Sequence, residues 1–150
     1  MSITTHSSAD VLAELLIIKG LTTRPELKRP WSQYIDYMPD SERVQDNCAC
    51  TYDTTEIQGG RYMQDGVRVE HPGWQVRVRG CNFRTGRSKA AELADYLDRY
   101  KGGIISIDDS KYRVQNVSRR SGIISLGQEE NDRKRRSIFT FNGIMTIGTV

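Results

Sequence analysis

A chain of 150 residues with 22 basic and 19 acidic side chains, a net charge of +3, has room for one compact domain and lacks the strong positive field of most dedicated nucleic-acid binders. No apolar run reaches the roughly 20 residues that span a bilayer, and the opening MSITTHSSAD has neither the basic start nor the apolar middle of a secretory leader. A soluble protein working in the cytoplasm is expected, with no membrane partner.

The first element is a helix over residues 8–19, SADVLAELLIIK. Ser7 and Ser8 are cap candidates, Asp10 falls in the first turn and Gly20 lies just past the end. Val11, Leu12, Leu15, Leu16 and Ile18 make its apolar side broad, as in a helix covered by a sheet or a neighbouring subunit. From Leu21 to Gln45 three prolines break up helix and interior strand alike. They predict an extended connection with one short strand at WSQYIDYM, in which Trp31, Tyr34 and Tyr37 pin the loop to the core.

DNCACTYDTTE alternates like a strand. Gly59-Gly60 and Asp65-Gly66 are turn signals with a short strand between them, so residues 47–73 are expected to form a hairpin or an extended arm of a single domain spanning 1–150. These glycines are no phosphate loop, since no Gly-Lys-Ser/Thr follows. Pro72-Gly73 suits the centre of a type II turn, and GWQVRVRG then alternates. Trp74, Val76 and Val78 share one face, and Gln75, Arg77 and Arg79 share the other, which is expected to be exposed. After a turn CNFRTGR, a second helix is predicted over 88–101, with Ser88 as cap and Ala90, Ala91, Leu93, Ala94, Tyr96 and Leu97 packing. The rest reads as strands, GIISID, KYRVQNVS, SGIISLGQ and RSIFTFNGIMTI, the last two separated by a polar loop EENDRKRR. Helix, strands, helix, strands points to an α+β fold: a mostly antiparallel sheet with two helices on one face.

The inventory for catalysis is poor. His6 lies in a terminus expected to fray and His71 in a turn, and no nucleophile and base form a recognisable pair. Asp108-Asp109 reads as turn content rather than a metal site. Cys48, Cys50 and Cys81 lack the complete spaced pairs of a zinc site and read as residues of a reducing compartment. No enzyme activity, metal or cofactor is expected. Arg133, Lys134, Arg135 and Arg136 form a basic run largely offset by Glu129, Glu130 and Asp132. The run reads as a solvated hairpin loop or a protected strand edge in preference to a phosphate contact.

The strand Gln75–Arg79, the helix stretch Ala90–Leu97 with its A-x-x-L-A-x-x-L spacing, and the late strand Arg136–Asn142 with its terminal aromatic-Asn pair resemble the minor capsid and tail terminator proteins of tailed bacteriophages. The likeness runs from Val11 onward, except over Asn47–Gly73. It implies a virion protein of the tail and neck, assembled in the host cytoplasm as a ring, commonly a hexamer. Such a ring ends tail-tube polymerisation and gives the filled head a joining surface. Its partners would be further copies of itself, the tail tube protein and a head-side connector, with double-stranded DNA passing through. On that reading Arg77, Arg79, Arg61, Arg68, Arg133 and Arg135 are subunit-interface or channel-lining residues, and changing Arg77 and Arg79 to Glu should weaken assembly while leaving the thermal midpoint nearly unchanged. Two alternatives stand beside it: a head-completion or adaptor protein that retains packaged DNA, and a standalone nucleic-acid module using Trp31 and the 133–136 run.

Overall fold

The computed structural model describes residues 6–39, 44–54, 61–62, 68–131 and 134–149. Helix α1 spans Ser8–Lys19. It starts at a capping box: the Ser7 hydroxyl accepts from the Asp10 N–H, and the Asp10 carboxylate accepts from the Ser7 N–H at 3.0 Å. It ends in a Schellman turn, where left-handed Gly20 (φ 82°) donates to the Ile17 carbonyl and Leu21 to that of Leu16. That turn folds Leu21 back against the core. Ile18, expected on the packed side, is instead 62% exposed.

After a 3-10 turn at Pro25–Leu27, strand β1 (Ser32–Ile35) runs parallel to β2 (Cys48–Thr54). Strands β3 (Arg61–Tyr62) and β4 (Arg68–Glu70) form an antiparallel pair. The turn signals Gly59-Gly60 and Asp65-Gly66 lie outside the described residues. Gly73 opens β5 (Gly73–Gly80) and is absent from the described glycines with positive φ. The expected type II turn is therefore not formed, because that turn needs its third residue in the left-handed region.

The second helix, α2, spans Phe83–Arg99 and is capped by Asn82, whose side chain accepts from the Thr85 N–H. It begins five residues before the predicted Ser88. CNFRTGR reads as a turn because Gly86 lowers helix propensity. Tertiary packing overrides that preference, since Gly86 lies against Gly80 and Phe139 with no space for a side chain. Ala90, Leu93, Ala94 and Leu97 pack inward, while Ala91 is exposed.

Strands β6 (Gly103–Ile107), β7 (Ser110–Arg119), β8 (Ile124–Asn131) and β9 (Lys134–Thr149) complete a nine-stranded sheet. The predicted polar loop EENDRKRR is mostly strand: Glu129 pairs in register with Arg136, Glu130 with Arg135 and Asn131 with Lys134. The register places residues of opposite charge at facing positions in the first two of these pairs.

Long β9 organises the sheet. One of its edges takes β5 and then β4, and the other takes β8 and then β7. Both helices join one core on the same face, where Trp74, Val76 and Val78 of β5 meet Phe139 and Phe141 of β9 and Leu12, Leu16, Leu93 and Leu97 of the helices. Burying each such large side chain contributes about 1.5–3 kcal/mol. The architecture is α+β, with every strand pair antiparallel among the named strands except β1 with β2.

Candidate assembly surfaces

Arg77 and Arg79, two of the arginines that the sequence singled out, stand on the face of β5 turned away from the helices. Arg77 is half-buried, stands opposite Cys50 and Thr140, and lies over the Tyr52 ring at 5.3 Å. Its buried Nε has no hydrogen-bond partner. Burial first, and then the hydrogen bond with Cys50, push the Tyr52 hydroxyl well above the ordinary tyrosine range. Burial likewise raises the Cys50 thiol, against a smaller lowering from Arg77. Both groups therefore stay protonated and unreactive at neutral pH.

Arg79 does not belong to an exposed surface. It is 1% exposed, and its guanidinium donates to the carbonyls of Asp46, Pro39 and Gln45 at 3.1, 3.0 and 3.1 Å. The connection after β1 folds over this end of β5, and a five-donor planar fork is the side chain that satisfies several carbonyls at once. Alternation alone put Arg79 beside Arg77 in solvent, because it takes no account of a loop that covers half a face. Arg136 is similarly enclosed, 2% exposed and 3.7 Å from the Asp46 carboxylate. Arg135 is exposed. Arg61 and Arg68 sit in the β3–β4 pair, and Arg133 lies outside the described residues.

His6 is anchored, contrary to the expected fraying. Its Nδ1 is 2.6 Å from the Tyr112 hydroxyl and its Nε2 is 3.3 Å from the Asp108 carboxylate. His71 Nδ1 lies 3.1 Å from Thr146 Oγ1. Cys48 and Cys50 are buried and Cys81 is exposed. Among the described residues no three His, Cys, Asp or Glu side chains come together as a metal site, and no helix is long and apolar enough to cross a membrane.

Two surfaces escaped the sequence reading. Among the described residues strand β8 pairs with β9 alone and is exposed from Ile124 to Gln128, leaving Ile124 and Leu126 at 49% and 51% exposure. A bulge between Ser125 and Gly127, with Gly127 at φ 87°, turns this edge. The second surface surrounds the start of α2, where Phe83, Arg84 and Arg87 are exposed beside a groove shared by Trp31 and Lys89. Asn82 was its available signal, a cap residue that Gly86 obscured.

Residues 15–141 match the model of the family described as bacteriophage tail terminator protein. The chain belongs to that family. The match runs from the middle of α1 to Phe141 on β9, covering most of the core. No curated protein matches the chain. This tail terminator is thus a structural protein of a phage tail, located in the virion, and it works against other tail or head proteins.

Proposed function

We propose that the terminator forms a ring, with six copies as the expected number, at the head-proximal end of the tail tube. There it stops tube polymerisation and presents the surface to which the filled head joins, leaving a passage for double-stranded DNA. The observation that carries this reading is β8, an edge strand among the described residues that is exposed from Ile124 to Gln128, with two large apolar side chains in solvent. An edge of that kind is a template for pairing or packing against another chain.

A second apolar set supports a ring over a two-fold dimer. Leu27, Ile35 and Tyr37 are 54%, 44% and 70% exposed and cluster near β1. Strands β1 and β8 end the run β1-β2-β5-β9-β8 on opposite sides. Different patches on opposite edges favour a heterologous contact, in which each copy offers one edge to one neighbour and the other edge to the next, and a closing rotation makes that a ring. Arg77 and Arg135 remain available for such contacts or for the channel. Arg79 serves the fold.

The test is electron microscopy of lysates from phage whose copy of this gene carries an early stop codon. Overlong tails beside DNA-filled, unattached heads are expected. Tails of normal length beside heads that have lost their DNA would place the protein on the head side of the joint and overturn the terminator reading. Light scattering of the purified protein supplies the ring mass, and a monomer at all concentrations would remove the ring.

A further inference from the structure

We infer, building on the ring reading above, that the groove between α1, the 3-10 turn and β1 receives an arginine side chain of the next copy, with Arg120 as the donor. The groove has a volume of about 300 Å³, and Ala13 and Gln33 are its buried members. Gln33 carries the inference. It is 3% exposed, its Nε2 donates to the Tyr34 carbonyl at 3.0 Å, and its buried Oε1 has no hydrogen-bond partner among the described residues. The Tyr34 carbonyl fixes which atom is which, because only the amide nitrogen can donate to it. The atom left over is therefore an acceptor without a donor, a state that works against the free chain.

The surroundings select a cationic donor on an aliphatic stem. Asp10, Glu14 and Glu26 line the groove against one guanidinium, that of Arg24, while Ile17 and Ile35 supply apolar wall. Arg24 is already committed to Glu14 at 2.8 Å, with its own side chain 53% exposed, and leaves the Gln33 Oε1 without a donor. Glu26 is exposed and makes no hydrogen bond or ion pair with a described residue. An arginine suits such a site, since its stem packs along apolar wall and its five-donor fork serves several acceptors at once.

The place of the groove in the sheet selects the source. Ile35 belongs, with Leu27 and Tyr37, to the exposed apolar set near β1 that a neighbour covers in the proposed ring. That neighbour presents its β8 edge. Arg120 stands just before β8, exposed, and its side chain has no hydrogen bond or ion pair with a described residue. Arg135, at the other end of that edge, faces Glu130 in the ladder. Each copy thus carries an acidic groove at one edge and an uncommitted arginine at the other, the charge complement of a head-to-tail contact.

The experiment compares the full chain with Arg120→Glu, with Glu26→Arg, and with both together. Ring mass is read by light scattering over a range of concentrations, and thermal midpoints check the fold. Each single reversal is expected to raise the concentration that half-forms the ring at least about tenfold, and the double variant to recover most of that loss, because the two charges then face each other with signs exchanged. Midpoints of the dilute proteins should not move, since both side chains lie in water. In parallel, n-butylguanidinium is titrated into dilute wild-type protein and the Gln33 side-chain amide is followed by NMR. A saturable shift that Glu26→Arg weakens is expected.

Single reversals that leave the ring intact would overturn the contact. So would a double variant no better than the worse single, or a ring broken by Arg135→Glu and untouched by Arg120→Glu. The absence of a saturable shift with the guanidinium probe would overturn the groove as a cation site even where the ring forms. A wild-type protein that stays monomeric removes the ring reading and with it the neighbour's arginine, while the probe still decides the groove.

Discussion

Gly80 of β5 and Gly86 of α2 meet backbone to backbone: a Cβ on Gly80 would fall 2.5 Å from the Gly86 Cα. This contact sets how closely the helix lies on the sheet, and main chain cannot swing aside as a flexible side chain does. Gly80→Ala is expected to cost about 2 kcal/mol, the scale of an overpacked core. Gly86→Ala meets the Phe139 ring at 2.9 Å instead, and its clash is partly offset by the better helix propensity of alanine. Urea unfolding of both variants checks the order, with Gly80→Ala the less stable.

Arg77 and Arg79 are two residues apart on one strand and differ in what they hold. Arg79→Ala would leave three carbonyls without their charged donor, and a loss of ~3 kcal/mol or more is expected. Arg79→Lys should recover little, because a single ammonium does not reproduce the fork. Arg77→Ala gives up the contact with the Tyr52 ring and should cost ~1 kcal/mol. Thermal unfolding of the three single variants measures the difference. Equal, small losses would show that the loop carbonyls do not depend on Arg79.

Stability should fall at alkaline pH. The Tyr52 hydroxyl is raised above its ordinary 10.0 and the Cys50 thiol above its ordinary 9.0, in each case first by burial. Protons on these groups are held more tightly in the folded chain than in the unfolded one, so the unfolded state gains from deprotonation first. Their contribution is intact below about pH 9 and declines as pH climbs through the unfolded values. Tyr52→Phe should flatten part of that decline. Tyr96 and Tyr100, also raised by burial, would keep the remainder. Urea midpoints at several pH values in the presence of reductant give the slope.

Ile124 and Leu126 contribute little to the monomer, since each has about half its surface in water. Replacing both with Thr should change the thermal midpoint hardly at all and lower the ring mass at a given concentration. A lower midpoint with an unchanged ring would make β8 part of the fold and not of the assembly.

Local sequence determined much of this protein. Ser7, Asp10 and Gly20 bound α1 because caps act through neighbouring backbone groups, and Trp74, Val76 and Val78 mark the core face of β5 because side-chain direction alternates along a strand. Only the tertiary structure decided the rest. The start of α2 depends on how Gly86 fits against Gly80 and Phe139, a contact between elements that no local propensity contains. The burial of Arg79 depends on a loop some forty residues earlier in the chain folding over the end of β5. The openness of β8 and of the first turn of α2 follows from what does not pack there, and alternation and helical period report a residue's face without saying whether anything covers it. The exposed edge at β8 and the start of α2 were for that reason the least legible parts of the chain.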